Sequence, residues 1–222
     1  MRYRPAREAV ITTVSRSKER QEGRDETEVR ARILGAAFAA FMKSGYAATS
    51  TLEIATRAKV SKRELYVLVG SKQDMLVACI AERAAKMRWA PAALPVPRDR
   101  DGLARVLEAV GTRLLVEVSH PTVVSTFRLA ISEAQQAPEV ARTLDAQGRQ
   151  VNRAPLKAIL KTAVSAGLLR GDPAEMAERF IALLWGDLFM ALLLRLAKAP
   201  SPAELSRRAR AAAGDLLRLY AP

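Results

Sequence analysis

The chain has 222 residues, half of them apolar and only 5% aromatic, which excludes a wholly disordered polymer and, with Ala and Leu so abundant, favours helix over sheet. Its 36 Lys and Arg against 23 Asp and Glu give a formal charge of +13, a surplus suited to a polyanion, nucleic acid first and an anionic membrane surface second. The single cysteine, Cys79, excludes an intramolecular disulfide framework and fits a reducing, cytoplasmic setting.

Residues 1–26 are polar, mixed in charge and aperiodic, and read as a flexible basic arm. Arg2, Arg4 and Arg7 precede no apolar stretch of the kind a secretory signal needs. Asp25, Glu26 and Glu28 gather where a helix dipole favours acids. Ile33, Ala37 and Phe41, with Leu34 and Phe38 beside them, then form one apolar face that ends at Gly45, a left-handed C-cap. A first helix is therefore expected over 28–44. A second, over 51–57, is expected to bury Leu52, Ile54, Ala55 and Ala58, and a third, over 62–69, to be anchored by Leu65. Gly70 ends the third and Ser71 caps a fourth over 72–88, whose inner side carries Met75, Leu76, Cys79 and Ile80. Cys79 there reads as a buried, inert thiol.

Pro91, Pro95 and Pro97 break the pattern and make a stiff linker. Further helices are expected over 101–119, 122–136, 138–166, 173–197 and 202–220, with a kink or break just before Pro155. The longest apolar run, Phe180 to Leu194, is interrupted by Gly186 and Asp187 and is too short to span a membrane. No strand-like alternation appears. The expected class is all-α.

The most informative stretch is 48–66. Ser50 with Glu53, and Ser61 with Glu64, have capping-box spacing, and only Arg57-Ala58-Lys59-Val60 separates the two helix starts. Two capped helices around so tight a corner, flanked by Lys59, Lys62, Arg63 and Lys72, read as a helix-turn-helix for the major groove of DNA. The start of the third helix would face bases, and the first turns of the second and fourth would face phosphates, with Lys72 adding a point charge.

Residues 28–80 resemble the N-terminal domain of TetR-family transcriptional regulators. The likeness runs through Gly45-Tyr46, Ala48-Thr49-Ser50, Ile54-Ala55, Ala58-Lys59-Val60-Ser61-Lys62, Leu65-Tyr66 and Gly70-Ser71-Lys72. It implies backbone contacts from Thr51, Ser61, Tyr66 and Lys72, and places Lys62, Arg63 and Val67 where base edges can be approached. Arg63 stands where the family often has a small residue; it would pair bidentately with guanine, or with Glu64 or a phosphate. Val67 can meet only a thymine methyl or a sugar.

The C-terminal half resembles the family's ligand-binding and dimerisation domain more loosely, with Phe127-Arg128-Leu129, Ala137-Pro138-Glu139 and Gly171-Asp172-Pro173 similar to regulators of the AefR-like subgroup. Phe180, Leu184, Leu188 and Leu192 lie on a helix that is apolar nearly all round. In this family the last two helices form a four-helix dimer interface, so these four are the expected interface residues. By role the domains are then 1–26, a basic arm; 27–72, the DNA-binding domain; and 73–222, the helical effector-binding and dimerisation domain.

No catalytic constellation, metal-ligand spacing or cofactor motif is present, so neither an enzyme nor a bound cofactor is expected. His120, before Pro121, reads as a helix-end residue. Glu133, Arg128 and Arg142 would line an effector cavity or form surface ion pairs. The reading is a homodimeric regulator, a repressor by family habit, that binds a double-stranded operator and is altered on it by an unidentified small molecule. Its rivals are a non-specific nucleoid-type binder, disfavoured by the large Leu-rich C-terminal half, and a helical apolar-ligand protein without specific DNA binding, disfavoured by the basic helix pair.

Overall fold

The computed structural model describes residues 7–86 and 97–222, with side chains described from Asp25 to Ala85 and from Pro97 onward. Residues 1–6 and most of the proline-rich linker lie outside that range. All regular structure among the described residues is helical. The chain divides into two compact units, Met1–Cys79 and Ile80–Pro222.

The first unit is built on α1 (Arg7–Ser44), α2 (Thr51–Ala58), α3 (Lys62–Leu68) and the opening of α4 (Lys72–Lys86). Helix α1 begins well before the expected Glu28, so the arm read over 1–26 is helical from Arg7. No proline or glycine stands between Pro5 and Gly23, and Arg, Glu, Lys and Gln dominate 16–22, so propensity there carries the helix back from Glu28 where no apolar face demands it. Ile33, Ala37 and Phe41 of α1 are buried with Ile54, Ala55 and Ala58 of α2 and Leu65 of α3. Leu52 was expected in that core and is instead 59% exposed. Ile54, Ala55 and Ala58 suffice to seat so short a helix, and Leu52 falls on its outer side.

The second unit comprises α5 (Arg100–Ser119), α6 (Pro121–Ser132), α7 (Pro138–Leu144), a π-helical segment (Asp145–Gln150), α8 (Val151–Ser165), α9 (Pro173–Trp185), α10 (Leu188–Leu193) and α11 (Pro202–Leu219). The helix expected over 122–136 stops at Ser132, and 138–166 is not one regular helix. Pro155 lacks the N–H that would bond Val151 and its ring crowds that carbonyl; the wide π turn lies N-terminal to it.

The helix expected over 173–197 is two helices. It breaks at Gly186, whose φ of +42° and ψ of −128° are closed to other residues. Arg208 of α11 satisfies the carbonyls this break frees, donating from Nε to Leu184 O at 2.6 Å and from Nη2 to Trp185 O at 3.2 Å. Arg128 does the same for α10, bonding Leu192 O at 2.6 Å and Leu193 O at 2.8 Å. Arg100 bonds Leu168 O and Leu217 O. Three arginines of this unit therefore serve helix ends, where cations also favour the dipole.

Candidate nucleic-acid interface

Serine caps open both helices of the corner. Ser50 Oγ accepts from Glu53 N–H at 3.1 Å and Ser61 Oγ from Glu64 N–H at 3.0 Å. The returning carboxylate bonds of the expected capping boxes are not made: Glu53 instead pairs with Arg57 at 3.0 Å, and no partner of Glu64 is found among the described residues. The reciprocal arrangement forms one helix later. Asp74 accepts from Ser71 N–H at 2.8 Å and from Ser71 Oγ at 2.7 Å, while Ser71 Oγ accepts from Asp74 N–H at 3.1 Å. These bonds favour the ionised carboxyl and hold Asp74 below its ordinary range. The corner itself turns at Lys59, which adopts the left-handed conformation at φ +55° and ends α2.

Helix α3 has one buried residue, Leu65, and a half-buried Leu68, and presents the rest outward. Ser61, Lys62, Arg63, Tyr66 and Val67 are all exposed, Val67 at 77%. Neither Lys62 nor Arg63 has an ion-pair or hydrogen-bond partner among the described residues, so the alternative pairing of Arg63 with Glu64 is not adopted. Thr51 at the start of α2 lies beside Tyr66, with their hydroxyl oxygens 3.4 Å apart. Two side chains distant in sequence thus meet at one edge of the exposed face.

Lys72 is placed less simply. Its Nζ donates to Tyr46 O and Thr49 O, both at 3.0 Å, and sits 4.4 Å from the centroid of the Tyr46 ring. The ammonium thus ties the loop between α1 and α2 to the start of α4, a role the sequence reading missed. A phosphate contact from Lys72 would be shared with these carbonyls. Lys72→Ala should consequently lower the stability of the N-terminal unit by about 1–3 kcal/mol, besides weakening specific and non-specific DNA binding alike and flattening its salt dependence. Urea unfolding with salt-dependent DNA titrations checks both effects; a lower salt slope at unchanged stability would remove the loop tie.

The second unit contains a recess between α5, α6, the π segment, α8 and α9. It measures about 60 Å³, or about 590 Å³ with its open mouth included. Its wall is mainly apolar, from residues such as Val118, Phe127, Ile181 and Trp185, with Glu117, Arg149, Asn152 and Arg153 as the polar members. Arg149, Asn152 and Arg153 have one-face helical spacing next to Pro155, a signal that could have found them. The residues weighed for this role do not line it. Arg128 caps α10, Arg142 and Glu133 lie off the wall, and Glu133 meets Ser132 Oγ at 3.2 Å. His120 is a helix-end residue, its Nδ1 accepting from Thr122 N–H at 3.2 Å.

Residues 33–79 match the family model for bacterial regulatory proteins of the tetR family, and residues 105–222 match that for the C-terminal domain of AefR-like transcriptional repressors. The chain belongs to the TetR family. It is similar, at 26% identity over 70% of its length and 78% of the relative's, to the uncharacterized HTH-type transcriptional regulator YvkB of Bacillus subtilis (strain 168). Among solved structures, the flavonoid-responsive regulator FrrA is 26% identical with a TM-score of 0.74, covering 88% of this chain and 98% of that one. A TetR transcriptional regulator from Agrobacterium tumefaciens is also 26% identical, with a TM-score of 0.74, 88% of this chain and 95% of that one being covered.

The TetR fold carries a helix-turn-helix DNA-binding unit before a helical C-terminal one, and this chain is a DNA-binding transcriptional regulator of that family. The row expected at an interface on the penultimate helix is largely engaged within the chain itself. Phe180 and Leu184 are fully buried in the chain's own core, Leu192 is 5% exposed, and Leu188 is half-buried against the same core. Helix α9 packs on α5, α8 and α11, which absorbs the apolar faces that looked like surplus. Met190, Leu194 and Leu196, at 54%, 59% and 78%, are the large apolar side chains left exposed on and just after α10.

Proposed function

We propose that this TetR-family regulator is a cytoplasmic, homodimeric repressor that reads its operator with α3 and is altered on DNA by a small molecule bound in the C-terminal recess. The observation that carries the operator reading is the exposed opening of α3, where Lys62 and Arg63 project with no partner among the described residues. Unengaged donors at a capped helix start suit base edges, while Ser61, Thr51 and Tyr66 suit the flanking phosphates and Val67 a thymine methyl. Repression is supported by the AefR-like repressor match, and response to a small molecule by the likeness to the flavonoid-responsive FrrA. Dimerisation is supported by Met190, Leu194 and Leu196, three exposed apolar side chains within seven residues that a second copy would cover under twofold symmetry. Among the described residues no helix is long and apolar enough to cross a membrane. Helix α4, which begins with Lys72, is the lever through which an effector would shift the spacing of two reading heads.

Arg63→Ala should weaken specific binding by about 1–3 kcal/mol and relax preference at one base pair per half-site. Binding selections from a randomised duplex pool measure this, and an unchanged preference would remove Arg63 from the reading set. Light scattering gives the mass; a monomer would refute the dimer.

A further inference from the structure

We propose that the effector taken by the C-terminal recess is a flat aromatic weak acid, its anion held by Arg153 and its ring system lying against Trp185. This rests on reading the recess as the effector site. Of the charged groups in its wall, Glu117 is engaged by Arg113 at 2.9 Å and Arg149 by Asp145 at 2.8 Å. Asn152 also has a partner. Arg153 is half-buried in the same wall and has no partner among the described residues. The uncompensated charge of the recess is therefore a guanidinium. In a mainly apolar surround an unpaired cation repels a cationic ligand, leaves a neutral one indifferent, and favours an anion that completes its hydrogen bonds. The planar fork of Arg matches a carboxylate, or a phenolate more weakly.

The ring preference comes from the aromatic part of the wall. Phe189 packs on Trp185, with centroids 4.7 Å apart and planes tilted by 44°, and meets Phe127 edge-on at 4.9 Å. Trp185 and Phe127, both lining the recess, are thereby braced from behind by one residue, a rigid aromatic surface on which a flat ring gains stacking as well as burial. The recess volume of about 60 Å³ is small and the recess is open, so such a ligand extends into the mouth, and Arg153, only half-buried, also keeps contact with water.

The test is calorimetric titration of the full-length chain with three probes of one shape, 2-naphthoate, 2-naphthylmethanol and 2-naphthylmethylamine. The carboxylate should bind about tenfold tighter than the alcohol, and the amine weakest. Arg153→Gln, whose fold is checked by an unchanged melting temperature, should bring the carboxylate down to the alcohol and leave the alcohol's affinity unaltered. An alcohol that binds as tightly as the carboxylate, or a gap that survives Arg153→Gln, would overturn the anion assignment while leaving the recess as an effector site. Binding of none of the three would overturn the effector-site reading itself, and this proposal with it.

Discussion

Phe180→Ala should destabilise the C-terminal unit by about 3–5 kcal/mol, because it empties a fully enclosed aromatic site with little freedom to collapse. The packing there is tight: a Cβ on Gly111 of α5 would lie 2.8 Å from Leu184 Cδ2 and 3.2 Å from Phe180 Cζ. Glycine at that point lets α5 approach α9 directly, and Phe180 fills the space so created. The loss should appear as a lower urea midpoint with the mass seen by light scattering unchanged. Were Phe180 at a subunit interface instead, truncation would lower the mass seen by light scattering under native conditions. That pattern would contradict the placement.

Leu65→Ala should cost the N-terminal unit about 2–5 kcal/mol and abolish specific DNA binding. Leu65 is the one buried side chain of a seven-residue helix, and a helix that short has no stability of its own in water. Removing its anchor releases the segment that carries Lys62, Arg63, Tyr66 and Val67. The C-terminal unit should keep its own unfolding transition. Denaturation followed alongside DNA titration measures both; full operator affinity in a folded Leu65→Ala variant would show that α3 is held by something else.

The helix-turn-helix was legible because its signals are local. Ser50 and Ser61 cap where spacing says they should, Gly45 takes φ of +80° at the end of α1, and Leu65 anchors α3. The reading faltered where tertiary partners decide. Leu52 has core chemistry, but which side of a short helix faces the core depends on α1. Phe180 and Leu184 read as interface because a helix that is apolar all round is equally consistent with a second copy and with three neighbours in its own unit; α5, α8 and α11 are those neighbours. Gly186 was noted only as an interruption of an apolar run, and the break it permits depends on Arg208 reaching the freed carbonyls from α11. Charge and the family resemblance both point Lys72 at a phosphate, whereas the carbonyls of Tyr46 and Thr49 that hold it come from a loop whose position neither signal gives. Of the recess, the one-face spacing of Arg149, Asn152 and Arg153 was available in the sequence, but that they share a wall with Glu117, Phe127 and Trp185 of other helices depends on the fold.

The central claim is sequence-specific recognition of duplex DNA by the exposed face of α3. Its most direct measurement is a gel-shift of the full-length chain on DNA from upstream of its own coding region, with excess unrelated duplex as competitor and repeated at rising salt. The account predicts a discrete complex that survives the competitor and weakens in the Arg63→Ala chain. A complex displaced equally by any duplex and differing between sequences only through salt, or no complex at all, would contradict it.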